Sequence, residues 1–136
     1  MAEFCWPVRV YYEDTDSGGV VYYANYLRFM ERARTEYLRS LGFEQDRLVR
    51  DEAVIFAVRS VQLDFHKPAR FNDMLTVSAR TTELGKASLS FDQKVTREAD
   101  GVLLCSGQVR IACLDAATFR PKPIPNAMLA EITLGN

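Results

Sequence analysis

The 136-residue chain has little of what metal centres, disulfide scaffolds, membrane spans and polyanion-binding surfaces are made from. It carries a single histidine, His66, which gives no basis for a His-rich metal site. Its three cysteines, Cys5, Cys105 and Cys113, are odd in number and form no CxxC pair. The N-terminus lacks the basic and then apolar run of a secretory signal, so a reducing cytoplasm is expected, with each cysteine a compact strand or core residue. No apolar run approaches the roughly 18 residues of a membrane span, so no transmembrane segment is expected. Charge of one sign is also missing: 17 Lys and Arg stand against 18 Asp and Glu, for a net charge of −1. The cations are dispersed, which argues against nucleic-acid partners and polybasic membrane patches and for a small-molecule partner. Repeats and low-complexity segments are absent, and the length predicts one domain over residues 1–136.

What is present centres on residues 11–26, where a short apolar strand runs into Glu13, Asp14 and Asp16, then Gly18-Gly19, then an amphipathic helix. A carboxylate at a strand end, followed by glycines and a helix start, sets a base or nucleophile beside unpaired amides and a positive dipole end. Those are two components of a site for attacking a carbonyl.

Along the chain, residues 6–12 alternate with Val8, Val10 and Tyr12 on one side, the period of a half-buried strand. Asn25 is expected to cap the helix, whose apolar face runs Tyr26, Met30, Ala33, Tyr37 and Leu41, widened by Leu27, Phe29 and Leu38, until Gly42 ends it. At about 100° per residue Arg34 falls inside that stripe and needs a partner, with Glu31 or a loop acid as candidates. The choice there is between a snorkelling arginine and an ion pair fixing the helix to the loop. A polar connection follows. Residues 53–66 read as a long strand whose apolar phase slips between Val58 and Val61, predicting a β-bulge near Arg59-Ser60. A turn at residues 67–73, strands at 74–84, 87–97 and 102–114, a hairpin at Leu84-Gly85-Lys86 and a loop at 99–101 complete a meander. On the last strand Leu103, Cys105, Val109, Ile111 and Cys113 share one face. The proline-rich residues 120–125 are expected over the surface, with a short helix or turn after them. One long apolar helix beside such a meander predicts an α+β fold in which the sheet wraps the helix, and exposed sheet edges predict a homo-oligomer.

The residues Trp6-Pro7-Val8-Arg9-Val10-Tyr11-Tyr12-Glu13-Asp14-Thr15-Asp16, Gly18-Gly19-Val20-Val21-Tyr22 and Glu31-Arg32-Ala33-Arg34-Thr35-Glu36 resemble the hotdog-fold acyl-CoA thioesterases, specifically the YbgC type associated with the Tol-Pal system. Pro68-Ala69-Arg70, Asp73-Met74-Leu75 and Arg120-Pro121-Lys122 are similar to it as well, so the resemblance spans essentially the whole chain. It implies a hotdog fold, an active site shared across a dimer interface, hydrolysis of acyl-CoA thioesters, and assembly as a dimer or a tetramer built as a dimer of dimers. Asp16 matches the family's catalytic aspartate. Gly19 and Tyr23 stand where related hydroxybenzoyl-CoA thioesterases have a glycine and a tyrosine whose backbone N–H meets the thioester oxygen. YbgC-type chains commonly carry histidine where this one has Tyr23, a departure that leaves the backbone N–H untouched.

The mechanism that follows has Asp16 either attacking the carbonyl to give an anhydride or activating a water, with amides around Gly19 to Tyr23 holding the oxyanion. Tyr22, Lys67, Arg70, Arg120 and Lys122 are the candidates for substrate and CoA binding, set against their reading as solvated surface groups. Asp14, Glu31 and Arg34 are expected to support the site, and His66 to lie at the surface. No cofactor beyond the CoA thioester substrate is expected, and an acyl carrier protein is an alternative donor of the acyl group. The rival functional class is a non-catalytic module binding acyl carriers or an envelope complex, and the expected location is the cytoplasm, with a peripheral place at the inner membrane as the alternative. A hotdog dehydratase is disfavoured because this helix lacks a histidine.

Overall fold

A computed structural model describes residues 3–135, in the order β1 (Phe4–Arg9), a 3-10 turn (Tyr12–Asp14), α1 (Asn25–Ser40), α2 (Gln45–Glu52), β2 (Val54–Phe65), β3 (Met74–Leu84), β4 (Ser88–Arg97), β5 (Leu103–Asp115) and α3 (Asn126–Gly135). The strands form one sheet of order β1-β3-β4-β5-β2, every neighbouring pair antiparallel. The sheet curls around α1, which is the hotdog arrangement.

Helix α1 forms because its apolar residues recur at helical spacing, and that face is buried: Tyr26, Phe29, Met30, Ala33, Tyr37 and Leu38 lie against Leu75, Val77, Phe91, Val95 and Val109 in one core. Full burial of a residue the size of Phe29 or Met30 is worth about 1.5–3 kcal/mol each. Two expectations for this helix are corrected. Leu27 is 40% exposed, at the solvent side of the stripe. Asn25 is not the cap: Ala24 holds that position, and the Asn25 amide donates instead to the Asp14 carbonyl, 2.9 Å away. Gly42, at φ +95°, ends the helix as expected, because the left-handed conformation carries no Cβ penalty there.

The bulge is where the phase slip placed it: the β2–β5 register shifts between Val58 and Ser60, leaving Arg59 unmatched. Strand β1 stops at Arg9, so Tyr12 lies in the 3-10 turn and is 74% exposed rather than facing the core. On β5, Leu104 is buried and Leu103 faces out, because the β4–β5 register shifts between Val95 and Thr96 and reverses the alternation at that end. The polar connection after α1 contains α2, held by Leu48 and closed by Ala53 at φ 53°. The proline-rich tail pairs loosely with β5 through Pro121 and Leu114, then sinks Ile124, Met128 and Ile132 into the core.

The two sheet edges differ. Strand β1 is short and contains Pro7, which has no amide to donate, so its missing donor is tolerated only at an edge. Strand β2 is twelve residues long and exposes Val58, Val61 and Phe65. No helix among the described residues is long and apolar enough to cross a membrane.

Candidate active site

The segment from Tyr11 to Tyr26 is a rigid connection between β1 and α1, built by its own polar groups. The Asp14 carboxylate accepts the Tyr11 amide at 2.8 Å while the Asp14 amide returns to the Tyr11 carbonyl at 3.0 Å. Asp14 is buried, and its carbonyl also accepts from the Tyr22 amide and the Asn25 side chain, so it organises the loop from inside. Its partners lie in this turn and at the start of α1, and Arg34 is not among them. The far side of the loop is tied down by the Val21 amide on the Ala69 carbonyl at 2.8 Å, and Ala69 in turn donates to the buried Tyr26 phenol oxygen at 3.1 Å. Tyr26, Ala69 and Val21 thus join the helix, the 66–73 connection and the 11–26 stretch. Neither Ala69 nor Tyr26 carried a sequence signal for this, since the link runs through a backbone amide 43 positions away.

Asp16 sits at the exposed apex. Its Oδ1 accepts the Gly18 amide at 2.8 Å, its carbonyl accepts the Gly19 amide at 3.0 Å, and its amide donates to the Val20 carbonyl at 2.9 Å. The backbone is therefore pinned while Oδ2 has no partner among the described residues and faces solvent. Gly19 adopts φ +79°, the conformation this turn requires. Its amide is engaged with the Asp16 carbonyl, so it is not open to a further acceptor in this chain as an oxyanion donor would be. The amides of Gly18, Val21 and Tyr22 are engaged too. Those of Tyr23 and Ala24, at the entry to α1, have no partner among the described residues and point out of the helix start.

Aromatic rings flank this apex. Tyr22 and Tyr23 are 47% and 61% exposed and lie 4.8 Å apart, and Tyr23 meets Phe65, the last residue of β2, edge-on at 6.1 Å. The Tyr22 phenol is held above its ordinary value by its hydrogen bond and charge interaction with Tyr23, with a smaller push from Asp16. Lys67 and Arg70 belong to the same end of the molecule, Arg70 bridging Val20, and both are exposed. His66 is exposed as expected and pairs with the Ser106 hydroxyl at 2.9 Å.

Other expected residues are elsewhere. Arg34 is buried, as its helical phase required, but its partner is the Gln93 side chain on β4 at 2.9 Å, with no ion pair among the described residues. Burial lowers its pKa to about 10, with Glu31 opposing the shift, and it stays charged at neutral pH. Gln93, 1% exposed, also donates to the carbonyls of Met30 and Ser78. The expected Arg34 link between helix and catalytic loop is thus corrected to a link between helix and sheet, because the helical phase aims it at β4. Glu31 is exposed and lines a separate cavity with Arg34, Phe56 and Phe91. Arg120 and Lys122 are not brought to Asp16 within one chain. Lys122 bonds the Cys113 and Glu52 carbonyls, whereas the end of β5 that meets His66 and Lys67 is at Leu104, nine residues or about 30 Å away.

A free carboxylate oxygen, two open amides at a helix start and an aromatic wall suit attack on an activated carbonyl. Comparison with known proteins decides the family: the model described as "Thioesterase superfamily" matches residues 18–104. The chain belongs to the thioesterase superfamily. That match leaves Asp16 just outside, but similarity to individual thioesterases extends over nearly the whole chain. It is 44% identical over 128 residues to the acyl-CoA thioester hydrolase YbgC of Escherichia coli O6:H1, covering 94% of each chain. To the acyl-CoA thioesterase YbgC of Haemophilus influenzae it is 42% identical, covering 93% of this chain and 92% of that one. A solved probable thioesterase from Bartonella henselae superposes with a TM-score of 0.86 at 34% identity, covering 91% of this chain and 100% of that one.

Proposed function

We propose that the chain hydrolyses acyl-CoA thioesters at Asp16. The observation that carries the reading is the unpartnered Oδ2 of a backbone-pinned Asp16 in the same loop as the open amides of Tyr23 and Ala24. The thioester oxygen is bound by those two amides, where the helix dipole stabilises the charge that develops on attack. Asp16 then acts in one of two ways. Either Oδ2 attacks the carbonyl carbon, CoA leaves as a thiolate and water cleaves the resulting anhydride; or Oδ2 takes a proton from a water that attacks directly. A thiolate leaves readily, so neither route needs a strong general acid or a cofactor. The tyrosine in place of the usual histidine is compatible with both, since the amide and not the ring meets the oxygen. The rings of Tyr22, Tyr23 and Phe65 offer an apolar wall to the acyl group, favouring aromatic or extended chains.

The active form is a pair of chains joined along β2. This strand is long, one-sided in its pairing and apolar at Val58, Val61 and Phe65, the profile of an edge that another strand covers. A twofold pairing of β2 with itself is antiparallel. It sets the Val54 end of one chain against the Phe65 end of the other, so the Arg120 and Lys122 end of each chain approaches the Asp16 loop of its neighbour. That arrangement returns both cations to a CoA-binding role that a single chain cannot give them.

The test is release of free thiol from short, long and aromatic acyl-CoAs. Asp16→Asn is expected to lower kcat by about 100-fold or more. Equal rates for parent and variant would remove Asp16 from the mechanism, and no turnover of any thioester would return the chain to the binding-module class.

A further inference from the structure

Four residues before Asp16, the loop displays an aromatic surface that the hydrolytic chemistry leaves unused. Tyr12 and Phe71 stack face to face with ring centroids 3.7 Å apart and planes within 6°. They are 74% and 40% exposed, so the outer ring faces remain open to solvent. The pair borders a cavity of about 700 Å³ lined also by Arg9, Tyr11, Glu13 and Asn72. Its walls are fixed. The Arg9 guanidinium is held by the Asn72 carbonyl at 2.8 Å, Asn72 is in the left-handed conformation at φ 71°, and the Tyr12 carbonyl accepts both the amide and the hydroxyl of Thr15. An exposed pair of stacked rings on this pinned backbone gains nothing from water and is suited to a flat ligand.

We infer that this platform is a nucleotide subsite, and that it takes the adenosine phosphate end of the CoA substrate. The polar groups around the rings match that end. A purine stacks on an open aromatic face whatever its edge pattern. The Glu13 carboxylate is an acceptor for the exocyclic amino group. The free donors of Arg9, which makes no ion pair among the described residues, suit phosphate oxygens. Reach is sufficient, because four residues from Tyr12 to Asp16 span at most about 14 Å, within the length of a pantetheine arm. The inference rests on the thioesterase reading and deepens it, because it selects the acyl donor: acyl groups on a carrier protein have the pantetheine arm but no purine.

Two measurements test it. The first is the ratio of kcat/KM for an acyl-CoA to that for the same acyl group on N-acetylcysteamine, which lacks the nucleotide. Tyr12→Ala is expected to lower this ratio about 10-fold, in line with the loss of one stacked ring. Tyr12→Phe, which keeps the ring, is expected to retain it. A ratio unchanged in Tyr12→Ala, or lowered equally in Tyr12→Phe, overturns the platform. The second is calorimetric binding of adenosine 3′,5′-bisphosphate, expected in the parent and weakened about 10-fold in Tyr12→Ala. Absence of binding in the parent, or equal binding in both, also overturns it. If no thioester is turned over, the hydrolytic reading fails while the calorimetry still decides the nucleotide subsite.

Discussion

Gln93 shows how much a single buried amide can organise. Its side-chain oxygen accepts from Arg34 and its nitrogen donates to the carbonyls of Met30 and Ser78, so one residue of β4 satisfies groups on α1 and β3. The guanidinium it serves has no carboxylate partner among the described residues, and the interior leaves it few alternatives. Gln93→Leu is therefore expected to destabilise the protein by about 3 kcal/mol in urea unfolding at fixed protein concentration, because it leaves a buried charge under-satisfied. Adding Arg34→Met is expected to recover more than half of that loss, the signature of coupled residues. The position of Arg34 was legible in the sequence, since 100° per residue fixes which way a helical side chain points. Its partner was not, because nothing local marks a glutamine 59 positions away as the acceptor. Asn25 failed for a similar reason: a capping residue type at a helix start has a local use, but the Asp14 carbonyl offered a buried one.

Among the elements, β2 and β5 depend on a close approach that only glycine permits. A Cβ on Gly107 would lie 2.3 Å from a methyl of Leu63 and 2.9 Å from the Gln62 carbonyl oxygen, and the carbonyl belongs to the paired strand and cannot swing aside. Gly107→Ala is expected to cost about 1–3 kcal/mol in the same unfolding experiment by forcing the two strands apart. Elements with strong period were legible. The bulge in β2 could be located because an extra residue shifts apolar positions from even to odd, and the shift survives in the amino-acid order. Helix α2 had no such signal: eight residues, mostly charged, with Leu48 as the sole buried one, look like a solvated connection. The buried Ile124, Met128 and Ile132 of the tail were masked by the prolines before them, which mark where a central strand is forbidden and not what packs afterwards.

On the scale of the molecule, the site reads differently from one chain and from two. The loop that carries the proposed site was legible as a structural unit because its components are contiguous, from Asp14 through Tyr26. The cations were not assignable to it, because Arg120 and Lys122 fold toward the opposite end of β5, and in the proposed pairing it is a second chain, run antiparallel along β2, that returns them. The measurable consequence is mass. Val61→Lys, which places a charge on the exposed β2 edge, is expected to shift light scattering from a multiple of the chain mass to the mass of one chain. Thioesterase activity at low enzyme concentration is expected to fall with it. A parent protein that scatters as a single chain while fully active would overturn the shared site.

The proline in β1 bears on the same question from the other side of the sheet. With Pro7 interrupting its donors, β1 offers a poor template for a further strand, whereas β2 offers a good one. In the vocabulary of polymer chemistry the proposed pairing makes the molecule monovalent: a second copy that adds along β2 uses up the reactive end on both partners and presents only blunt ends afterwards. Under the proposed pairing such a unit terminates chains instead of propagating them, and the long apolar edge that invites association would lead to closed pairs and away from fibres.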